Sequence, residues 1–223
     1  MNKRAIFGWI SAAAIALSVQ AGPALASPVT INLDQVFTGA TPDGPTPWLV
    51  ATFEQTGSNT GTLTLTSHLT APDFIQGLNS ASSTVGWAFY LNQSLSAITC
   101  TTGACANGDS GFDAGGFNTG PANAGTFNLG FGWGPGSGNR FTAGESAVYN
   151  LTFASDLSGN PFVANGSGWI SIAHVQGLGN RGRNSGWIVS DTLVSVPEPA
   201  ELGLFGLGLL LVALFAAARR RWQ

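Results

Sequence analysis

Gly61-Thr62-Leu63-Thr64-Leu65-Thr66-Ser67-His68-Leu69 decides the fold class. Leu63, Leu65 and Leu69 fall on one side of an extended chain, and Thr62, Thr64, Thr66 and His68 on the other. This is the period-two alternation of a half-buried strand. Similar runs recur at 29–37, 47–54, 84–91, 94–99, 126–133, 146–154, 167–175 and 186–194, separated by clusters of Gly, Pro, Asn and Ser. Between the two ends of the chain, helical spacing amounts to a single turn around Asp73-Phe74-Ile75-Gln76. Many short strands at near-regular intervals, most of them linkable by hairpins, predict an all-β domain. An antiparallel β-sandwich, jelly-roll-like, is the expected form, with a barrel as the alternative closure.

Composition narrows the function classes. Of 223 residues, 44% are hydrophobic and 9% charged, against about a quarter charged in ordinary soluble domains. Lys and Arg together number 8 against 11 acids, and three of the eight form the terminal run Arg219-Arg220-Arg221, which excludes a basic nucleic-acid binder. Residues 27–195 carry nine carboxylates against three arginines, a formal charge of −6 that disfavours nucleic acid and anionic lipid. Aromatic and β-branched residues are plentiful enough to exclude charge-driven disorder. From 103 to 138 there are 12 glycines in 36 residues without a three-residue period, so collagen is excluded. A flexible or bulged loop system is expected there, tethered to the sandwich edge by Phe112, Phe117 and Phe127.

Both ends read as targeting segments. Lys3 and Arg4, the apolar stretch Ala5 to Val19 and Ala24-Leu25-Ala26 have the layout of an export signal over 1–26, cleaved by signal peptidase so that the mature chain starts at Ser27. Residues 202–218 carry no charge and as a helix would reach roughly 26 Å, slightly under the ~30 Å hydrocarbon thickness. Arg219, Arg220 and Arg221 follow, which holds the C-terminus on the cytoplasmic side of a transmembrane helix. Before the span, Pro197-Glu198-Pro199 can neither continue a strand ladder nor enter a helix interior, so an extended linker is expected at the membrane surface.

Pro197-Glu198-Pro199, the short span and the Arg219-Arg220-Arg221 cluster together resemble the PEP-CTERM sorting signal of Gram-negative bacteria, over residues 196–223. Three stretches of the ectodomain also resemble exported PEP-CTERM proteins: Gly86 to Asn92, Phe127 to Phe131 leading to Arg140 to Glu145, and Ala173 to Gly177 followed by Ser185 to Trp187. The resemblance implies recognition of the tail by an exosortase. It further implies an inner-membrane-anchored precursor, then delivery of the ectodomain to the cell surface or the extracellular matrix. It carries no catalytic assignment.

Within the ectodomain, each motif has a functional and an ordinary reading. Cys100 and Cys105 are the only cysteines, and export to an oxidising compartment predicts a local disulfide pinning a Gly-containing turn. His68 and His174 could belong to a hydrolase, but no Gly-x-Ser-x-Gly elbow accompanies them, and an outward polar position on a strand explains both. Asp109 and Asp113 offer two oxygen ligands for calcium without the spacing of an EF-hand, so a solvated loop is expected. Trp48, Trp87, Trp133, Trp169 and Trp187 could include sugar-stacking rings. Trp133, embedded in Gly-Trp-Gly-Pro-Gly136, is the ring expected to be exposed and the candidate glycan contact. The threonines of 61–69 could face ice, although the sequence displays that pattern on one strand only.

No catalytic constellation, metal set or cofactor motif emerges. The expected function is a non-enzymatic, structural or adhesive role at the cell surface or in an extracellular polysaccharide matrix. A lectin-like or glycan-active surface protein is the competing class, and ice binding a third.

Overall fold

The computed structural model describes residues 27–77, 85–107, 109–179, 182–195 and Gly208. The expected export signal and sorting tail, including Ala24, Ala26, Pro197, Glu198, Pro199 and Arg219 to Arg221, lie outside the described residues. Among the latter are fourteen strands: β1 (Val29–Leu33), β2 (Gln35–Gly39), β3 (Leu49–Gln55), β4 (Thr60–Ser67), β5 (Phe74–Ile75), β6 (Trp87–Phe89), β7 (Leu95–Gly103), β8 (Asp109–Asn118), β9 (Thr126–Gly132), β10 (Phe141–Thr142), β11 (Ser146–Phe153), β12 (Ser171–Leu178), β13 (Asn184–Ser190) and β14 (Leu193–Ser195). The domain is all-β and its strand pairs are antiparallel.

One sheet has the order β14-β1-β3-β4-β11-β7. β4, the strand quoted first, lies between β3 and β11, so its alternation is read out on both flanks. Leu63 and Leu65 are fully buried, whereas Thr62, Thr64 and Thr66 are half-exposed. Gly61 begins the inward row, and a Cβ there would run into the ring of Phe53 on β3. A glycine is therefore needed for Phe53 to lie flat over β4.

The second sheet is less regular. β12 takes β13 on one flank, and β13 takes β2. The other flank of β12 is divided between β6, opposite Ser171 to Ala173, and β5, opposite Val175 and Gln176. β9 and β8 continue beyond β6, and β10 lies beyond β5.

Two runs that read as single strands each change sheets. The run 29–37 divides at Asp34 into β1 and β2, and 186–194 divides at Asp191-Thr192 into β13 and β14. β1 pairs β14 in the first sheet while β2 pairs β13 in the second, so two antiparallel partners cross together. Gln35 Nε2 donates to Asp191 Oδ1 at 2.9 Å and ties the two crossings.

Two local expectations are corrected. The helical turn expected at 73–76 is β5; the turn lies earlier, closed by Asp73 N–H donating to Thr70 C=O at 3.0 Å, with Pro72 inside it. The glycine-rich segment 103–138 holds all of β9 and the ten-residue β8, whose pairing with β9 is interrupted between Phe112 and Phe117. Glycine serves here for close approach: a Cβ on Gly130 would stand 2.7 Å from Val85 and 2.9 Å from Phe117.

The inward rows of the two sheets meet in one core, an arrangement that fits a β-sandwich. Phe131 of β9 packs on Tyr149 of β11 with ring centroids 4.5 Å apart. Phe162, in a loop, bridges Phe53 at 5.2 Å and Phe89 at 5.6 Å. A second cluster covers the far side of the other sheet, where Ala88, Ile172 and Val189 meet Phe117, Ala124 and Phe127. Fully burying one aliphatic or aromatic side chain is worth roughly 1.5–3 kcal/mol, which makes these rows the main source of stability.

Candidate functional site

The outward face of the six-stranded sheet mixes threonine with valine, asparagine and serine. Strand registers align Val194, Thr30, Thr52, Thr64, Val148 and Thr102 in one row across all six strands. Asn32, Val50, Thr66 and Ser146 form a second row, and Glu54, Thr62, Asn150 and Thr99 a third. Rows of this kind repeat at about 4.8 Å between strands and about 6.8 Å along them. Glu54 is the one ionisable side chain directed outward from these strands. The face thus offers hydroxyls, carboxamides and methyls with almost no charge. β4 repeats threonine along its length, as the sequence indicates; register adds Thr30 of β1 and Thr52 of β3 beside Thr64. The alternation in each strand was legible in sequence. Which threonine stands beside which is fixed by register alone.

Trp133 is not the exposed ring. It is 1% exposed, its ring stacks on Phe141 at 4.7 Å, and its Nε1 donates to Ala104 C=O at 2.9 Å. The flanking glycines let other segments close over the indole: Gly134 N–H donates to Asn107 Oδ1 at 2.8 Å beside it. Trp48 and Trp87 are buried as well, their indoles donating to Gly44 C=O and Ser171 Oγ. Trp169 and Trp187 are half-buried and pack on the second cluster with Phe37 and Tyr90.

Cys100 and Cys105 form the expected disulfide, with Cα atoms 5.9 Å apart. The loop it closes and the residue that follows it are held from both sheets. Trp133 of the second sheet's margin takes Ala104 C=O, and Tyr149 Oη of β11 accepts Ala106 N–H at 2.6 Å. Burial pushes the Tyr149 phenol up to about 12, with the Ala106 hydrogen bond opposing in part.

His68 is exposed, its Nδ1 3.3 Å from Pro47 C=O. His174 lies flat against Trp187, ring centroids 4.4 Å apart and planes 14° from parallel, with Gln176 Nε2 3.4 Å from its Nδ1. Burial lowers its pKa below the usual 6.5 and favours the neutral ring. The two histidines belong to different sheets' surroundings and do not meet. Asp113 is exposed and its Oδ1 accepts Gly115 N–H at 2.9 Å; Asp109 opens β8 opposite Gly132. Among the described residues, no group of three or more His, Cys, Asp or Glu could hold a metal ion.

Sequence reading overlooked Asp73. It is 1% exposed although close beneath the surface; Oδ2 accepts Asp43 N–H at 3.1 Å and Oδ1 has no partner. Burial raises its pKa above the ordinary carboxylate value, the Asp43 N–H lowers it, and the Asp43 charge raises it again. No family model, no curated protein and no solved structure matches the chain.

Proposed function

We propose that this chain is an exported, non-enzymatic adhesive protein that acts through the threonine-bearing face of a jelly-roll-like β-sandwich. The in-register, nearly uncharged rows of that face carry the reading. A polysaccharide surface is itself a neutral array of hydroxyls and C–H groups, and a face of threonine, asparagine, serine and valine side chains with Glu54 as its one ionisable group matches it in polarity with little charge to desolvate. The Cys100–Cys105 bond suits an oxidising compartment. Delivery follows from the tail: signal peptidase cuts after Ala26, and an exosortase reads Pro197-Glu198-Pro199 with the span and Arg219 to Arg221, releasing the ectodomain to the cell surface or polysaccharide matrix.

Adsorption to insoluble polysaccharides tests the face. Thr52→Lys with Thr64→Lys is expected to lower the bound fraction at least about tenfold by placing two ammonium groups in the centre of the array; unchanged adsorption rejects the face. Thermal hysteresis lost in the same double variant would assign the face to ice instead. Removal of residues 196–223 tests delivery: unchanged fractionation and mature mass in a host with its sorting enzyme rejects exosortase sorting.

A second reading is lectin-like binding on the opposite side of the domain, favoured by the half-exposed Trp169 and Trp187 beside Phe37 and Tyr90. Saturable oligosaccharide binding abolished by Trp187→Ala and untouched by Thr64→Lys would select it.

A further inference from the structure

The open edge of the six-stranded sheet is formed by β7, and among the described residues nothing pairs with its outer side. A free edge is a template for another strand, and proteins blunt it with charge, proline, brevity or irregularity. The other sheet ends here carry such devices. β14 has three residues and β10 two. β8 is interrupted between Phe112 and Phe117 and contains Asp109 and Asp113. β2 follows Asp34 and meets β13 through a register shift. β7 has nine residues, Leu95-Ser96-Ala97-Ile98-Thr99-Cys100-Thr101-Thr102-Gly103, with no charge and no proline. Its register with β11 is regular from Ala97 to Cys100 and shifts on both sides of that stretch, at Ser96 and at Thr101, so length and lack of charge, not regularity, set β7 apart from the other ends. Ser96 Oγ and Thr101 Oγ1 donate to Thr152 and Val148 carbonyls of β11, at 3.2 and 3.1 Å, so these side chains turn away from the free edge.

We infer that β7 pairs with β7 of a second copy of this chain, antiparallel about a two-fold axis at Thr99, joining two six-stranded sheets into one. The strand is complementary to itself about Thr99, which meets Thr99 of the second copy, with Ala97 on one side and Thr101, the residue at the register shift, on the other, all small. Charge selects the same edge. Two ectodomains of formal charge −6 repel, and β7 is a long edge without a carboxylate of its own. Beside it is a groove of about 210 Å³ lined by Leu95, Ser96, Ala97, Ile98, Ser110 and Phe112, whose accessible surface is mostly polar and carries no charge. β1 and β14, the first and last strands of the described chain, lie four and five strands from β7 in the sheet order. The pairing also continues the outward rows into the second copy, but it does not depend on what that face binds.

Amide exchange on the full chain in detergent, at low and high protein concentration, tests the inference. β7 amides of the native protein are expected to slow by about tenfold or more on concentration, while those of β14 do not change. Thr99→Lys sets two ammonium groups face to face at the axis and is expected to abolish that protection; Thr64→Lys, on the same face but two strands inward, is expected to keep it. Exchange in β7 that is independent of concentration, or protection retained in Thr99→Lys, overturns the pairing. So does protection lost equally in Thr64→Lys. The measurement on the native chain needs no variant to fold, and its outcome is separate from polysaccharide adsorption.

Discussion

At the scale of single residues, Asp73 and Tyr149 show how burial turns a polar group into a pH-dependent one. The folded state raises the pKa of Asp73 above 3.8, so it binds that proton more tightly than the unfolded chain. Its contribution is most favourable below the unfolded value and is lost as pH rises through the raised one. Asp73→Asn is therefore expected to raise the melting temperature at pH 7 and leave it nearly unchanged at pH 3, as thermal denaturation at the two pH values will show. His174 has the opposite sign. Its lowered pKa stabilises the fold above 6.5, and that contribution is lost as pH falls through the folded value. His174→Gln is expected to flatten the decline of melting temperature on mild acidification. Tyr149→Phe removes the acceptor of the Ala106 N–H and should cost about 1–3 kcal/mol in urea unfolding. Trp133 shows that glycine neighbours do not by themselves imply exposure: its ring is covered by Phe141 and its Nε1 donates to Ala104 C=O.

At the scale of elements, β4 was legible because its alternation is strict and one face is buried, which makes register and burial mutually reinforcing. Gly61 was not readable in the same way. Its need arises from Phe53 across the strand pair, and Gly61→Ala is expected to cost about 1–3 kcal/mol by displacing that ring from Phe153 and Phe162, measurable as a lower denaturation midpoint. The runs over 29–37 and over 186–194 each read as a single strand in the sequence, yet each divides into two. The break at Asp34 and at Asp191 depends on two partners crossing between sheets together, a relation between segments more than 150 residues apart, joined by Gln35 and Asp191. β8 escaped notice because glycine carries no side-chain periodicity, and a ladder can form without it.

At the scale of the whole molecule, stability and surface are separable. The inward rows hold the two sheets together while the outward threonines of β3 and β4 touch solvent, so Thr52→Lys with Thr64→Lys is expected to change unfolding free energy by less than about 1 kcal/mol. Denaturant titration of the double variant beside its adsorption assay checks that the loss is one of binding and not of folding. The sequence alone determined the all-β class, most strand positions and the cysteine pair, since alternation and residue chemistry are local properties that survive without knowledge of partners. Only the tertiary structure decided which indoles are covered, where strands change sheets, and that Thr30, Thr52 and Thr64 stand side by side in one row with Thr102 at its end, because burial and register are fixed by what the rest of the chain places alongside.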